Sequence, residues 1–346
     1  MKKIGIIGHF GKGLQLANGQ TVKTQVVHKA LSDIYGDKAI ETIDTHGGIK
    51  FLIRMPFLLY KTLLTCKNIV IMPGSNGLRT ITPVLVLLNL LFHRPIHYIT
   101  IGGWLPEMLS SKRWLLKLLH TFTCIYPETN SINESLHSLG LTNTKVMPNF
   151  KFLQKNINDK PCMDKPYRLC TFSRVTKEKG IEEAIYAVKE VNKQLGHEAF
   201  ILDIYGQIDN KEWFDNIMKN CSHYITYKGC IQYGESTSTL KKYFALLFPT
   251  YYDGECFAGT IIDAFFAALP VFASDWHDNA NIIKDKETGL IFKAKSKEAI
   301  TQTLLYAYNH SLEIKNMRCK CRHEAEKYEP AQIIKILINE IEHNKQ

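Results

Sequence analysis

No acidic residue occurs between Asp44 and Glu107. Residues 1–150 contain 16 Lys and Arg against 7 Asp and Glu, whereas residues 151–346 contain 27 against 26. The formal net charge of +10 therefore belongs almost entirely to the N-terminal part of the chain, and we expect that part to suit an anionic partner. The acid-free interval holds six cationic side chains, namely Lys50, Arg54, Lys61, Lys67, Arg79 and Arg94.

The sequence also lacks an apolar run of about 20 residues, the length that a membrane-spanning helix requires. The longest run, 81–92, predicts a buried helix instead. No signal-peptide core follows Met1, and the nine cysteines include no C-x-x-C spacing. We therefore expect reduced thiols and a cytoplasmic protein, at most peripheral on the inner face of the membrane.

A dinucleotide-binding fingerprint is missing too. The segment GHFGKG (8–13) follows a predicted strand, but its glycines do not have the G-x-G-x-x-G spacing. This disfavours a nicotinamide-binding protein.

The length of 346 residues predicts two domains of about 150 residues each. Short apolar runs alternate with helical patterns, which indicates an α/β fold with parallel sheets covered on both faces. We place a Rossmann-like N-terminal domain at 1–152, a polar linker at 153–165 and a second Rossmann-like domain at 166–329. A final helix within 330–346 is expected to return to the first domain.

The segment GECFAGTIIDAFFAALPV (254–271) is the most informative for function. It predicts a loop carrying Glu255 and then a helix that starts near Gly259 and Thr260 and carries Asp263. A helix N-terminus presents free backbone N–H groups and a positive dipole end to an anion. Two carboxylates flanking such an anion site suit the hydroxyls of a sugar diphosphate.

The segment LCTFSRVTKEKGIEEAIYAVKEV (169–191) predicts a strand, a connection and a helix. Arg174 and Lys179 lie five residues apart on the connection. A guanidinium can grip phosphate with two hydrogen bonds, and a lysine supplies a point charge. Taken alone, these cations are equally consistent with a charged surface loop.

These two segments resemble the E-x7-E and G-R-x-x-x-x-K-G motifs of retaining glycosyltransferases of family 4, which have the GT-B fold. The chain departs from the first motif at Asp263, where Glu is usual, and at Ala258, where Gly is usual. The resemblance implies two Rossmann-like domains facing a central cleft. It also implies that Arg174 and Lys179 neutralise the donor pyrophosphate.

The same resemblance implies roles for the neighbouring residues. Glu255 would bind the donor sugar and, with Arg174 and Lys179, form the catalytic set, while Asp263 would bind the ribose. Donor contacts are also expected from the backbone of Gly229, Ala258, Gly259 and Thr260. No D-x-D occurs in the chain, so no metal ion or other cofactor is expected, and the two cations would take the place of the metal.

The N-terminal half is expected to complete the site. We interpret Gly11 and Gly13 as donor contacts from the first loop, although glycines there are equally typical of a plain turn. Acceptor contacts are expected from Asn18, Gln20, Thr21, Gly103 and Trp104. The histidine that many members carry near residue 103 is missing, and His9 and His46 are candidate substitutes, although a lone histidine is more often structural.

Two basic amphipathic segments, 49–64 and 111–122, lie in the N-terminal half. Such helices can lie on anionic lipid, so we expect docking on an anionic membrane, the alternative being a basic surface with no membrane role. Nucleic-acid binding is disfavoured because no RNA-binding motif accompanies the charge.

The predicted function is retaining, metal-independent transfer of a sugar from a UDP- or GDP-sugar to a saccharide or lipid-linked acceptor, in polysaccharide or glycolipid assembly. The alternative is a non-catalytic partner subunit or a nucleotide-sugar-binding protein of the same fold, because fold does not fix function.

Overall fold

The computed structural model describes residues 2–11, 19–152, 164–232 and 234–343. Within these residues the chain forms eleven strands: β1 (Lys2–Gly8), β2 (Ile40–Asp44), β3 (Cys66–Met72), β4 (Ile96–Ile99), β5 (Cys124–Tyr126), β6 (Tyr167–Phe172), β7 (Phe200–Tyr205), β8 (Ile225–Gly229), β9 (Ala245–Phe248), β10 (Val271–Ser274) and β11 (Gly289–Phe292).

The described residues also form fourteen α-helices: α1 (Gly19–Tyr35), α2 (Ile49–Thr65), α3 (Ser75–Asn89), α4 (Leu105–Ser111), α5 (Arg113–Leu119), α6 (Asn130–Ser138), α7 (Ile181–Leu195), α8 (Lys211–Met218), α9 (Ser236–Leu240), α10 (Gly259–Phe266), α11 (Asn279–Ile282), α12 (Lys297–Asn309), α13 (Ser311–Ala325) and α14 (Pro330–His343). Short 3-10 helices span Asp37–Ala39, Lys177–Lys179 and Glu326–Tyr328.

Local sequence explains these elements. Strands β9 and β10 are fully buried apolar segments, as expected for parallel strands covered on both faces. Helix α7 buries Ile181, Ala184, Ile185 and Val188, which recur at helical spacing on one face. Three helices start at a residue whose side chain accepts a backbone N–H of the first turn; these caps are Thr129, Asn210 and Ser296.

The chain divides into two units. The first comprises Met1–Phe152 together with Tyr328–Gln346, and the second comprises Leu153–Lys327. We expected the second domain to end at 329 and the chain to return to the first domain at 330. Both positions lie two residues beyond the boundary in the structure. Residues 153–163 of the expected linker lie outside the described residues.

The first unit has a five-stranded parallel sheet in the order β2-β1-β3-β4-β5. Strand β1 lies between β2 and β3, so the chain passes from β1 to β2 on one side and then crosses back to β3 on the other. In such a sheet, the crevice beyond the carboxyl ends of the strands flanking the reversal is the usual place for a ligand.

Helix α14 belongs to the core of the first unit. Its apolar side chains Ile333, Ile334 and Leu337 pack into the cluster around β1 and α1. Glu342 accepts hydrogen bonds from Lys3 Nζ at 2.6 Å and from the Tyr35 hydroxyl at 2.9 Å. The C-terminal helix is thus held by both packing and polar contacts.

The second unit has a six-stranded parallel sheet in the order β11-β10-β9-β6-β7-β8. Its first strand, β6, lies between β7 and β9, so the order of connection reverses between β6 and β9. The loops after these two strands therefore flank the predicted ligand crevice of this sheet. The predicted class, α/β with two parallel-sheet Rossmann-like domains, is confirmed.

Two local predictions are wrong. The run 81–92 is not a buried helix, because α3 ends at Asn89 and Leu87, Leu90 and Leu91 are 66%, 64% and 74% exposed. Only one face of α3 packs on the core, and helical periodicity turns Leu87 away from it. Leu90 and Leu91 lie in the turn that follows the helix.

The segment 111–122 is not one amphipathic helix either. The backbone leaves helical geometry at Lys112, which separates α4 from α5. Helix α5 buries Leu115, Leu116 and Leu119, and only its Trp114 is a large exposed apolar side chain.

Candidate active site

The loop after β6 is fixed by its neighbour after β7. Val175 N–H donates to the Gln207 carbonyl at 2.8 Å, and Val175 and Ile208 form an isolated parallel bridge. Gly206 makes this approach possible, because a Cβ at this residue would lie 1.7 Å from the Ser173 carbonyl oxygen. The backbone around Arg174 is therefore held in place by the adjacent strand end.

The same loop then closes against the end of β9. Gly180 has φ of +72°, and a Cβ there would lie 2.2 Å from the Pro249 carbonyl oxygen. Only glycine fits this approach without strain. Tyr251 N–H donates to the Glu178 carbonyl at 2.7 Å, so a backbone hydrogen bond joins the loops that follow β6 and β9.

Lys179 and Glu255 meet at this junction as a buried ion pair. The Lys179 ammonium donates to Glu255 Oε2, and the Thr250 hydroxyl donates to the same oxygen at 3.0 Å. The two side chains are 9% and 10% exposed. Water screens their attraction little at such burial, so the pair fixes both side chains.

Arg174 lies on the exposed side of the loop. Its guanidinium donates to Asp209 Oδ2 at 3.2 Å, and the two side chains are 49% and 37% exposed. The Tyr252 ring centroid lies 5.6 Å from Arg174 Cζ and 4.8 Å from Lys179 Nζ. One aromatic ring thus lies within cation–π distance of both cations.

Helix α10 begins beside these groups. Its start at Gly259 agrees with the prediction, and the preceding Ala258 has an extended backbone. The Thr260 hydroxyl donates to the Phe172 carbonyl at 2.6 Å, which anchors the first turn of α10 to the carboxyl end of β6. Asp263, on the next turn, is only 5% exposed.

Gly229 lies at the carboxyl end of β8, the edge strand of the second sheet. It ends β8 with φ of +79°, and its carbonyl accepts the Gly206 N–H at 2.9 Å. Gly206 in turn contacts Ser173, so Gly229 is linked to the Arg174 loop through the turn after β7. The donor residues expected in the second unit therefore follow the carboxyl ends of β6, β8 and β9.

The second unit matches a known family over almost its full length. The family model for glycosyl transferases group 1 matches residues 154–328, which is half of the chain. The chain belongs to this family. The predicted resemblance to group 1 transferases of the GT-B fold is therefore confirmed.

One curated relative is 30% identical over 135 residues. It is the GtfA subunit of a UDP-N-acetylglucosamine–peptide N-acetylglucosaminyltransferase from Streptococcus pneumoniae. The match covers 38% of this chain and 25% of the relative, so the present chain spans about a quarter of that protein.

Solved structures agree on the fold. Sucrose-phosphate synthase from Thermosynechococcus elongatus superposes with a TM-score of 0.79 at 14% identity over 99% of each chain. Anabaena HepE in complex with UDP-glucose gives 0.77 at 11% identity over 99% of this chain and 100% of its own. Pneumococcal GtfA with UDP and GlcNAc gives 0.66 at 19% identity, over 83% of this chain and 59% of its own.

In the first unit, Asp44 organises the loop after β1. One of its carboxylate oxygens accepts the backbone N–H groups of Phe10 at 2.9 Å, Gly11 at 3.4 Å and His46 at 3.0 Å. Gly11 has φ of +60°. Gly13 and Asn18 lie outside the described residues.

The structure brings three polar candidates of the first unit together. His9 Nδ1 lies 2.8 Å from the Thr21 hydroxyl, and His9 Nε2 lies 3.2 Å from His46 Nδ1. Thr21 is fully buried. The two histidines thus form a pair at the carboxyl ends of β1 and β2, which their separation in the sequence did not reveal.

Two of the remaining acceptor candidates, Gln20 and Trp104, have internal partners. The Gln20 side-chain amide donates to the Met72 carbonyl at 3.4 Å. Trp104 Nε1 donates to the Ile101 carbonyl at 2.7 Å, and its ring packs on the core beside α4. Gly103 lies in the bend between β4 and α4.

Sequence reasoning missed three contributors to the donor side. Thr250 and Tyr252 contact the charged pair, and Asp209 neutralises Arg174. Their position in the sequence could have indicated them, because each lies within a few residues of a strand's carboxyl end. Within the described part of the chain, no group of three or more His, Cys, Asp or Glu side chains is arranged to hold a metal ion.

Proposed function

We propose that this glycosyltransferase moves a sugar from a nucleotide-diphosphate-sugar to an acceptor hydroxyl, with retention of configuration and without a metal ion. The observation that carries this proposal is the buried Lys179–Glu255 pair beside Arg174 and the start of α10. These groups lie where the strand order of the second sheet reverses, which is the usual ligand position in such a sheet.

The donor diphosphate is the natural ligand for the cations. Arg174 can exchange its exposed Asp209 partner for phosphate oxygens, since an exposed ion pair is weak. Lys179 supplies a second positive charge, and the N–H groups at Gly259 and Thr260 supply hydrogen-bond donors. Asp263 is assigned to the ribose. Further donor contacts are assigned to the backbone of Gly229, Ala258, Gly11 and Gly13.

The chemistry follows from these charges. As the glycosidic bond breaks, negative charge grows on the leaving diphosphate, and Arg174 and Lys179 stabilise it. The sugar gains oxocarbenium character, which the neighbouring Glu255 carboxylate favours. No residue is assigned as a covalent nucleophile, so the acceptor hydroxyl attacks from the face that the diphosphate leaves, and that diphosphate takes up the hydroxyl proton.

The comparisons favour uridine over guanosine in the donor. Pneumococcal GtfA and Anabaena HepE are both described with UDP or a UDP-sugar bound. No metal ion or other cofactor is assigned, because the two cations supply the positive charge that a metal would bring.

The acceptor is assigned to the first unit. We infer a saccharide hydroxyl, carried on a lipid, in the assembly of a surface polysaccharide or glycolipid. The positive charge of this unit supports an acceptor and a membrane that are anionic. Acceptor contacts are assigned to Asn18, Gln20, Thr21, Gly103 and Trp104.

A non-catalytic role remains the second candidate. The pneumococcal relative is named as a subunit, and this chain has Asp263 and Ala258 where the family motif usually has Glu and Gly. A non-catalytic partner would keep nucleotide binding and show no turnover.

Glu255→Gln tests the proposal, with Asp215→Asn as a control carboxylate in an exposed ion pair of the same unit. UDP, GDP and their sugar conjugates are screened by thermal shift, with and without EDTA, and turnover is followed as nucleotide release. We expect wild-type and Asp215→Asn proteins to bind UDP regardless of EDTA and to turn over, whereas Glu255→Gln binds UDP and loses turnover. UDP binding without turnover by the wild-type protein supports the non-catalytic role, and failure to bind any nucleotide overturns both.

A further inference from the structure

Large apolar side chains are exposed in one part of the first unit. Thirteen are exposed among the described residues, and nine of them lie between residues 49 and 91. We call these nine the apolar face: Ile49, Leu52, Ile53, Phe57, Tyr60, Leu64, Leu87, Leu90 and Leu91. Soluble monomers rarely leave such a large apolar patch in water. We therefore expect a partner to cover the apolar face.

Helix α2 has three distinct sides. One packs on the core through Phe51, Met55, Leu59, Thr62 and Leu63. A second carries the apolar face, with Ile53 and Phe57 exposed by 76% and 70%. The third is a basic edge of Lys50, Arg54 and Lys61, whose spacings of four and seven residues put them in one row along the helix.

The end of α3 extends this face beyond α2. The two helices pack against each other, and the Tyr60 and Phe92 rings meet edge to face with centroids 5.4 Å apart. Leu90 and Leu91 directly precede Phe92 and are exposed. Helix α2, the end of α3 and the turn that follows α3 therefore contribute to one continuous apolar surface.

The charges beside the apolar face indicate what binds to it. The described residues provide no ion-pair partner for Lys50, Arg54 or Lys61, and no acidic residue occurs between Asp44 and Glu107. In a symmetric dimer each copy would bring the same basic edge to the interface without a local carboxylate to neutralise it. Anionic lipid headgroups supply that negative charge.

We propose that the apolar face docks on an anionic lipid bilayer, with α2 lying in the interface plane. Ile53, Phe57 and Leu64 enter the acyl boundary, while Lys50, Arg54 and Lys61 contact the headgroups. This is peripheral binding: among the described residues no helix is long and apolar enough to cross a bilayer. It concerns a surface outside the donor site and does not depend on the sugar transferred.

Vesicle flotation of the full chain tests this inference, using phosphatidylcholine vesicles with and without phosphatidylglycerol. Ile53→Ser/Phe57→Ser removes two central members of the face. Ile34→Ser/Leu312→Ser is the matched control, because these side chains are 50% and 75% exposed elsewhere. We expect binding to the anionic vesicles only, a loss of about tenfold in the first variant and no change in the control.

The basic edge is tested separately. Lys50→Gln/Arg54→Gln/Lys61→Gln should weaken flotation and flatten its salt dependence, whereas the equally exposed control Lys219→Gln/Lys315→Gln/Lys320→Gln in the second unit should not. In addition, Phe57→Trp should shift its emission to the blue on anionic vesicles, and Leu312→Trp should keep its emission.

Three results would overturn the inference: equal binding to both kinds of vesicle, no binding to either, or flotation that Ile53→Ser/Phe57→Ser leaves unchanged. A wild-type dimer in solution that this variant dissociates would assign the face to a second copy instead. Thermal unfolding followed by circular dichroism, measured on every variant, confirms that each is folded, and UDP binding is measured alongside. The UDP measurement separates a failure here from a failure of the proposed transferase activity.

Discussion

Each unit contains a buried Lys–Glu pair beyond the carboxyl ends of its strands. In the first, Lys23 of α1 donates to Glu128, and the side chains are 3% and 4% exposed. Lys23 also donates to the Thr100 carbonyl at 3.0 Å. In the second, Lys179 and Glu255 retain 9% and 10% exposure. The two pairs are chemically identical, but their surroundings differ.

The surroundings indicate which pair serves chemistry. Lys23 joins a helix to the loops after β4 and β5, so its two contacts stabilise the fold of the first unit. Lys179 lies within cation–π distance of an aromatic ring that also reaches Arg174, and a helix N-terminus begins nearby. A buried ion pair is therefore not evidence of a site by itself; a second cation and free backbone donors are needed.

Removing one charge of the first pair should have the largest effect, on stability. Lys23→Met leaves Glu128 buried without its cation, which should lower the free energy of unfolding by about 3–5 kcal/mol. Lys23→Met/Glu128→Gln removes both charges and should recover most of that loss. Urea unfolding followed by circular dichroism measures both variants. If UDP affinity fell in either folded variant, the pair would have a functional role after all.

Removing one charge of the second pair should affect activity. Lys179→Met should reduce turnover roughly 100- to 1000-fold, because a preorganised positive charge is lost from the leaving group. Lys179→Met/Glu255→Gln should regain stability without regaining turnover. Nucleotide release measures the rate, and Lys177→Met, exposed on the same short helix, is the control. Turnover recovered by the double variant would make this pair structural too.

Acid should destabilise the first unit through a different buried group. His97 is fully buried on β4, its Nδ1 lies 3.0 Å from the Tyr126 hydroxyl, and burial lowers its pKa from 6.5 to about 4. The neutral form is favoured in the folded state, so stability present above pH 6.5 is lost as pH falls towards 4. The slope should reach about 1.4 kcal/mol per pH unit.

Unfolding midpoints measured across this pH range check the assignment. His97→Gln does not titrate and should have a shallower acid slope than the wild-type protein. His323→Gln, at a 79% exposed side chain of the second unit, should leave the slope unchanged. Identical slopes in the wild-type protein and His97→Gln would rule out His97 as the cause.

The smallest expected effect concerns Asp209. Its exposed pair with Arg174 competes with the proposed diphosphate, so Asp209→Asn should tighten UDP binding by roughly two- to fivefold. Titration calorimetry with UDP measures the change, and Asp215→Asn serves as the control. Weaker binding by Asp209→Asn would mean that Asp209 contacts the nucleotide itself.

The donor-binding residues could be predicted from the sequence because their motifs are local. Arg174 and Lys179 follow one strand, and Glu255 and Gly259 follow another, so recognising strand ends was enough to place them. The contacts of these residues with one another could not be predicted from the sequence. The sequence assigned Lys179 and Glu255 to different parts of the donor, whereas the sheet order brings them into one ion pair.

Other features depend on contacts between distant segments. Lys23 and Glu128 are 105 residues apart, and neither lies in a recognisable motif, so packing alone joins them. The exposed leucines at the end of α3 were wrongly assigned to the interior because an apolar run reveals its composition but not which side of a helix meets the sheet.

Helix α14 makes the first unit discontinuous in the chain. Its core needs residues from both ends of the sequence, whereas the second unit runs without interruption from Leu153 to Lys327. During synthesis, α14, the last helix to cover the first sheet, is therefore made only after the second unit. A stop codon just before Pro330 would uncover β1 and α1 while leaving every strand of the second sheet encoded.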